Sequence, residues 1–572
     1  MNDLKFTFRQ LRKSPGFTIV TVLTLALGIG ATTAIFGVVD GVVLKPLSSP
    51  HPEQLVSVEV SPVALDPSLR GMAPEDYFVF REQNRTFQQI GIYAETDTDR
   101  DVNVTGFAEP ERVHALNVTH DVLSTLAVQP MIGRVFLPSD DSPGAAGTAI
   151  LTYGYWQRHF SGDASVTGKT IIVDGKSRQI IGVMPRDFRF LDVADLSLIL
   201  PLQLDRNKTQ LGNFSYFGIA RLKPGMTIDA ATRDIARMLP ITLEAFPARP
   251  GLSLDLLKQS RLTPSLRPLK EEVVGNIRTL LWVVMSGVGI VLLIACANVA
   301  NLLLVRTQGR QHELAVRAAL GATRRRIGVQ LLQESLIIGV LGSIVGLALA
   351  YAGLQLLVAF APSGLPRISD INISVRVFYF TFGLTLFTSL LFGVMPAFKY
   401  SAVRAGVFET GRILGATRER HRARNFLVTT QIALATVLLI CAGLMIRTFV
   451  SLTHVNPGFV RPGELQTFRV AIPDSDVPDE THVARVEQQI QEKLAAIPGV
   501  SSVAFASCVP LDQDARFDNV FTEDRALTEG VAPPVRHLVF VSPGYFHTLG
   551  IPLIAGRDLT WQDTYNKLPV AL

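Results

Sequence analysis

The stretch LLWVVMSGVGIVLLIACANVANLLLV, residues 280–305, decides the class of this protein, because it runs for 26 residues without a Lys, Arg, Asp or Glu. About 20 apolar residues in a helix cross the roughly 30 Å of hydrocarbon in a bilayer. One charge at mid-bilayer would cost at least about 2.5 kcal/mol, so an uncharged run of this length reads as a transmembrane helix. Four other uncharged apolar stretches meet the same requirement, at 17–39, 336–361, 377–398 and 426–446. Composition agrees. Only 18% of the residues are charged, against roughly 25% in soluble proteins, and mean hydropathy is +0.30. The shortfall is local, since 45–278 carries charge at ordinary soluble density. At 572 residues, a mosaic of several units is expected.

Lys5, Arg9, Arg12 and Lys13 precede the first span, as they would in a signal peptide. Its apolar core exceeds the roughly 7–15 residues of a signal h-region and no A-x-A site closes it, so an uncleaved anchor is expected. Three short segments are basic: the N-terminal tail, the loop holding Arg306, Arg310, Arg317, Arg324, Arg325 and Arg326, and the loop holding Lys399, Arg404, Arg412, Arg418, Arg420, Arg422 and Arg424. With five spans threaded they fall on one side, which the positive-inside bias assigns to the cytoplasm. The expected layout is a cytoplasmic tail (1–16), a first span (17–44), a large external domain (45–278) and a three-helix unit (279–398). That unit holds spans at 280–305, 336–361 and 377–398 around an elbow at 306–335. A cytoplasmic linker (399–425), a fifth span (426–446) and a second external segment (447–572) follow.

The external domain reads as α+β. LVSVEV and TIIVDGKSRQIIGVMP alternate like strands, with Asp174-Gly175 as a hairpin turn, and residues 231–246 have the periodicity of an amphipathic helix. No catalytic, cofactor or metal constellation is visible in the sequence. His51, His114, His120 and His159 are scattered without metal spacing, and there is no G-x-S-x-G elbow and no G-x-x-x-x-G-K-[ST] loop. Asp140-Asp141, in LPSDDSPG, reads as a solvated loop. Gly28-Ile29-Gly30 lies inside a span, which excludes a nucleotide fingerprint. Cys296 and Cys441 lie in apolar runs, leaving Cys508 without a disulfide framework. The net charge of +5 comes from basic clusters at span ends, so nucleic acid is not an expected partner.

VTHDVLSTLAVQPMIGRVFLPSDD (118–141) and VSPGYFHTLGIPLIAGRDLTWQDT (541–564) align without a gap at Thr125/Thr548, Leu126/Leu549, Gly133/Gly556, Arg134/Arg557 and Asp140/Asp563. Each follows a basic stretch, a span and strand-like sequence, so the chain reads as tandem copies of one unit. The second holds one helix and about half of the external domain. Half a domain leaves strands unpaired and a core unfilled, which leads us to expect a truncated chain; the alternative is a tail that folds as a shorter module.

The elbow sequence RTQGRQHELAVRAALGATRRRIGVQLLQES (306–335) is the most informative. Residues 311–320 suit a short helix ended by Gly321 in the left-handed conformation, and Thr323 suits the cap of the next. Arg324, Arg325 and Arg326 then occupy a first turn, where the macrodipole disfavours cations by about 0.3–1 kcal/mol each. Anionic lipid headgroups, or an acidic groove on a cytoplasmic partner, would compensate.

The pattern E-x-x-x-R-x-x-x-G-A-x-x-x-x-I-x-x-Q-x-x-x-E-S, present as Glu313, Arg317, Gly321, Ala322, Ile327, Gln330, Glu334 and Ser335, resembles the coupling segment of FtsX-like and MacB-type ABC permeases. LSTLAVQPMIGRVF, YWQRHFSGD and IIGVMPRDFRF resemble that family's periplasmic core domain. The opening LRKSPGFTIVTVLTLALGIGATTAIF, with the repeat, is similar to duplicated orphan permeases. The resemblance implies a bacterial inner-membrane permease subunit without an enzyme of its own. A separate cytoplasmic ABC ATPase would push on the elbow at Glu313, Arg317, Gly321, Ala322, Arg325, Gln330, Glu334 and Ser335. The spans would relay that motion to the external domain for export or extraction, by mechanotransmission. It leaves open a non-transporting relay that controls an envelope partner such as a cell-wall hydrolase. Gly339, Gly342, Gly346 and Gly353 punctuate the third span, where close packing or a sliding interface is expected. Asp40 reads as interfacial.

Overall fold

The computed structural model describes residues 9–566 apart from 48, 64–69, 95–100, 107–108, 192, 194, 250–253, 276, 311–312, 314–315, 317–322, 361–370, 402–413, 456–457, 471, 473–476, 478, 511–515 and 520–534. They form two compact units, Met1–Lys45 with Val274–Val455, and Pro46–Val273 with Asn456–Leu572.

The first unit is helical: α1 Pro15–Val39, α2 Ile277–Gly309, α3 Arg324–Phe360, α4 Val375–Ser401 and α5 Leu414–Thr453. Each contains a stretch long and apolar enough to cross a membrane. The helices outrun the apolar runs. α3 starts twelve residues before the run at 336, and α5 begins inside the stretch read as a linker. Hydropathy marks where lipid begins, whereas backbone hydrogen bonding continues into water.

α1 lies along α2 and α3, α3 along α4, and α5 along α2. The α1–α3 crossing is made by glycine. A Cβ on Gly30 would stand 2.8 Å from the Gly346 carbonyl oxygen, and one on Gly342 2.9 Å from Leu25 Cβ, so the backbones touch. Gly339 meets Ser389 of α4, while Gly353 faces open space. Leu25, Ile29, Cys296, Val299, Ile338 and Phe392 fill one core of the bundle; Val39, Val42, Leu281 and Leu354 belong to a second. Past α1 the chain widens into a π-helical turn, Asp40–Leu44. Asp40 is buried there and accepts a hydrogen bond from Ser374 Oγ at 2.6 Å, with Arg376 at 3.6 Å.

The second unit holds eleven strands in one sheet: β1 Leu55–Pro62, β2 Phe87–Ala94, β3 Asp101–Thr105, β4 Glu111–Val118, β5 Ile132–Gly133, β6 Thr148–Leu151, β7 Thr170–Val173, β8 Lys176–Val183, β9 Leu196–Pro201, β10 Tyr216–Leu222 and β11 Leu262–Pro268. The strand order β11-β1-β10-β2 is antiparallel throughout, with a helix Pro74–Gln83 between β1 and β2 and a helix Ile228–Ala245 between β10 and β11. This is a split βαβ lobe of the ferredoxin-like kind, into which β3 to β9 are inserted. The inserted strands close a ring, β4-β3-β7-β8-β6-β9 and back to β4, around Val102, Ala149, Leu151, Val173, Ile180 and Leu198. Asp174 (φ 46°) and Gly175 (φ 72°) make the two-residue turn between β7 and β8. Thr227 caps the helix Ile228–Ala245 by accepting from the Ala230 N–H.

The solvated-loop reading of Asp140-Asp141 is corrected. Both side chains are under 10% exposed. Asp140 takes a bidentate bond from Arg134 at 2.5 and 3.0 Å and accepts the Leu137 N–H at 2.7 Å. Asp141 bonds the ring and backbone nitrogens of His120 and the Gln203 N–H. Turn-forming composition said nothing of the Arg134 clamp or of the distant His120 and Gln203.

The aligned stretch near residue 550 repeats the Arg134–Asp140 clamp, though not the bonds of Asp141, whose counterpart is Thr564. Arg557 grips Asp563 at 2.7 and 2.7 Å, Asp563 accepts the Thr560 N–H at 2.9 Å, and Gly556 (φ 85°) matches Gly133 (φ 81°). The Thr119 hydroxyl receives the Ile92 N–H at 3.0 Å, as the Ser542 hydroxyl receives the Phe505 N–H at 2.8 Å. Upstream, His51 and Arg461, both left-handed, open 3-10 turns at Pro52–Gln54 and Pro462–Glu464.

Candidate functional site: the elbow between the second and third spans

The elbow is built on the ends of α2 and α3. α2 closes on Arg306 in its last turn, where a cation complements the helix dipole, and Arg310 follows just beyond. α3 begins at Arg324, and the Thr323 carbonyl accepts the Arg326 and Ile327 N–H groups at 2.9 and 3.2 Å.

Of the eight residues singled out from sequence, Arg317, Gly321 and Ala322 lie outside the described residues, as does the side chain of Arg325 in the first turn of α3. Glu313 is half-buried, and its carboxylate accepts from Arg310 Nε at 3.1 Å. Gln330 is half-buried on α3. Glu334 is buried and accepts from Arg310 at 3.1 and 3.3 Å. Ser335 is buried against α4, where a Cβ on Gly393 would stand 2.8 Å from its Oγ. The structure thus brings Glu313 and Glu334 together through Arg310, a residue that sequence reasoning counted only as topology-setting charge. Its spacing three before Glu313 is that of a helical ion pair and was the available signal. Arg306 was missed in the same way. Its guanidinium lies 4.5 Å from the Phe17 ring centroid and donates to the Gln10 carbonyl at 3.1 Å.

The α+β domain offers two further polar clusters. Glu75 and Asp76, in the first turn of the helix Pro74–Gln83, are both buried. Glu75 Oε1 accepts the Gly212 N–H at 2.7 Å, while Oε2 has no hydrogen-bond partner. Burial, reinforced by the neighbouring Asp76, pushes Glu75 up to about 8. Burial likewise pushes Asp76 up to about 7. A groove of about 340 Å³ is lined by Tyr77, Phe78, Arg81, His120, Asp141 and Arg206 among others. Among the described residues no group of three or more His, Cys, Asp or Glu is placed to hold a metal.

Residues 18–238 match the family model of the MacB-like periplasmic core domain, and residues 285–405 that of the FtsX-like permease C-terminal region. The macrolide export ATP-binding/permease protein MacB of Wolinella succinogenes is 25% identical over 402 residues, 69% of this chain and 58% of that protein. The uncharacterized ABC transporter permease YknZ of Bacillus subtilis is 22% identical over 308 residues, 54% of this chain and 69% of that one. The chain therefore spans a little over half the length of the MacB relatives it matches. The periplasmic region of MacB from Actinobacillus actinomycetemcomitans aligns with 42% of this chain and 95% of its own, at 11% identity and a TM-score of 0.28. Five apolar helices, with a periplasmic core domain following the first and an FtsX-like domain that includes the elbow, make this chain an FtsX/MacB-type permease, a transmembrane bundle that carries a large extracytoplasmic domain.

Proposed function

We propose that the chain is the membrane subunit of an ABC system, in which a separate cytoplasmic ATPase docks on the elbow and its ATP-driven motion is relayed through the spans to the extracytoplasmic domain, for export or extraction. The N-terminal tail and the elbow then face the cytoplasm, with Glu313, Arg317, Gly321, Ala322, Arg325, Gln330, Glu334 and Ser335 forming or backing the docking surface. The layout is the one read from sequence: a periplasmic core at 45–278, a permease unit at 279–398, and from 447 the start of a second copy of the core. The repeated Arg–Asp clamp supports that last assignment.

The observation that carries the reading is the tied end of the bundle. The elbow hangs from a point where α1, α2 and α3 are joined by Arg306 and Arg310, so a push there is delivered to three helices at once. YknZ bears the name permease alone, which supports an ATPase on another polypeptide, whereas the MacB relatives are named ATP-binding/permease proteins. The test is a pull-down from native membranes with tagged wild type and with the Glu313→Lys, Arg317→Glu pair. Recovery of an ATPase subunit that the charge reversal removes is the expected result. If the wild type is folded and inserted and yet recovers none, the reading fails.

A further inference from the structure

Two arginines four residues apart, Arg306 in the last turn of α2 and Arg310 just beyond it, are turned into the bundle. Arg306 covers the Phe17 ring of α1 and bonds the Gln10 carbonyl. Arg310 is only 16% exposed and divides its guanidinium between Glu334 of α3, itself 4% exposed, and Glu313 of the elbow. Both arginines sit where the carbonyl end of α2 favours cations. A guanidinium shared between two carboxylates, one of them buried, makes charge-assisted, directional bonds that oppose lateral shift.

We infer that Arg306 and Arg310 form a clasp that makes the ends of α1, α2 and α3 move as one piece, and that Arg310 is the positioning residue through which displacement of the elbow reaches α3. Glu313, Arg310 and Glu334 make an unbroken chain of two ion pairs from the elbow to a buried point on α3. Motion then passes sideways through side chains as well as along the covalent path through 317–323. This inference rests on the coupling reading above, but it assigns Glu334 a role inside the bundle and separates it from the partner-facing residues.

The test compares wild type with Arg310→Gln and Arg310→Lys; the latter keeps the charge and three donors but not the planar fork, so it can still bridge both carboxylates, with weaker orientation. Two readouts are taken. First, the ATPase recovered with each tagged chain from native membranes is quantified and its ATP hydrolysis measured. The clasp predicts that Arg310→Gln recovers the ATPase within about twofold of wild type but hydrolyses about tenfold more slowly, with Arg310→Lys within about threefold of wild type. Equal hydrolysis by Arg310→Gln overturns the proposal. So does a parallel fall in recovery and hydrolysis, which would make Arg310 part of the docking surface or of the fold. Second, spin labels are placed at the exposed positions Val305 and Val329, in a chain with Cys296, Cys441 and Cys508 replaced by alanine, and their distance is measured in nanodiscs. A single narrow distribution should broaden in Arg310→Gln and narrow again in Arg310→Lys; an unchanged distribution sinks the clasp. If wild type recovers no ATPase, the coupling reading has failed, and the distance measurement still decides the clasp.

Discussion

Burial of Glu75 and Asp76 should make the extracytoplasmic domain sensitive to alkaline pH, and Glu75→Gln tests the share of Glu75. A carboxyl whose folded pKa is raised binds more protons folded than unfolded, so its destabilising effect is absent below the unfolded value and grows as pH rises through the folded one. For Glu75, raised from 4.5 to about 8, the loss of stability between pH 6 and pH 9 is about 3 kcal/mol by this linkage, and Asp76 adds to it in the same direction. The two protons leave in steps that belong to the pair. The loss should appear locally, because Glu75 Oε1 holds the Gly212 N–H and the pair sits in the first turn of the helix Pro74–Gln83. Hydrogen–deuterium exchange of the full chain in detergent, corrected for the intrinsic pH dependence of exchange, reads this directly. Protection of 74–83 should fall about 100-fold from pH 6 to pH 9 in wild type and markedly less in Glu75→Gln, which keeps the Gly212 bond but cannot ionise. Flat protection in wild type, or an equal fall in the variant, would refute the argument.

Gly346→Leu should lower the thermal midpoint of the detergent-solubilised chain by several degrees. A Cβ there would already sit 3.0 Å from the Ala26 carbonyl and 3.1 Å from the Gly30 nitrogen, and overpacking costs about 1–3 kcal/mol or more. Gly353→Leu, at a site with open space, is the matched control and should leave the midpoint unchanged. Arg134→Ala should destabilise the core domain by about 1–3 kcal/mol in chemical denaturation, because it leaves the buried Asp140 carboxylate with only its backbone donor. Burial alone would raise Asp140, but the bonds from Arg134 and the Leu137 N–H outweigh it and hold the group below its usual range. That stabilisation is present above the unfolded pKa and is lost as pH falls through the folded one, so wild type and Arg134→Ala should converge in acid.

The spans were legible because one physical quantity, the cost of charge in hydrocarbon, sets them. Their helical ends were not, since α5 begins at Leu414 among arginines where hydropathy is silent. The β7–β8 hairpin could be read from Asp174-Gly175, a local signal. The order β11-β1-β10-β2 and the ring inserted into it could not, because pairings such as Val56 with Pro268, Phe217 with Tyr93 and Leu116 with Ile199 leave no periodic trace. At the elbow the sequence marked Glu313 and Glu334 but not the arginine joining them. Charge counting assigns an arginine to one side of a membrane, and only packing shows that Arg310 turns inward.

The repeated clamp separates what is locally encoded from what the tertiary structure imposes. Gly133 has two reasons to be glycine: its φ is positive, and a Cβ would stand 2.1 Å from the Ile181 carbonyl of β8. For Gly556 only the first is seen, because among the described residues nothing lies within 4 Å of its Cβ position, yet its φ agrees within a few degrees. Among the described residues, then, the same bend occurs at Gly556 without a strand packed on the glycine. What the two sites share is local: an arginine directly after the glycine, an aspartate six residues further on, and the N–H three residues before that aspartate. In the second stretch a reciprocal capping box between Thr560 and Asp563 reinforces the same turn. The clamp is thus the same local turn at both places, and at the first of them the β8 edge packs against it.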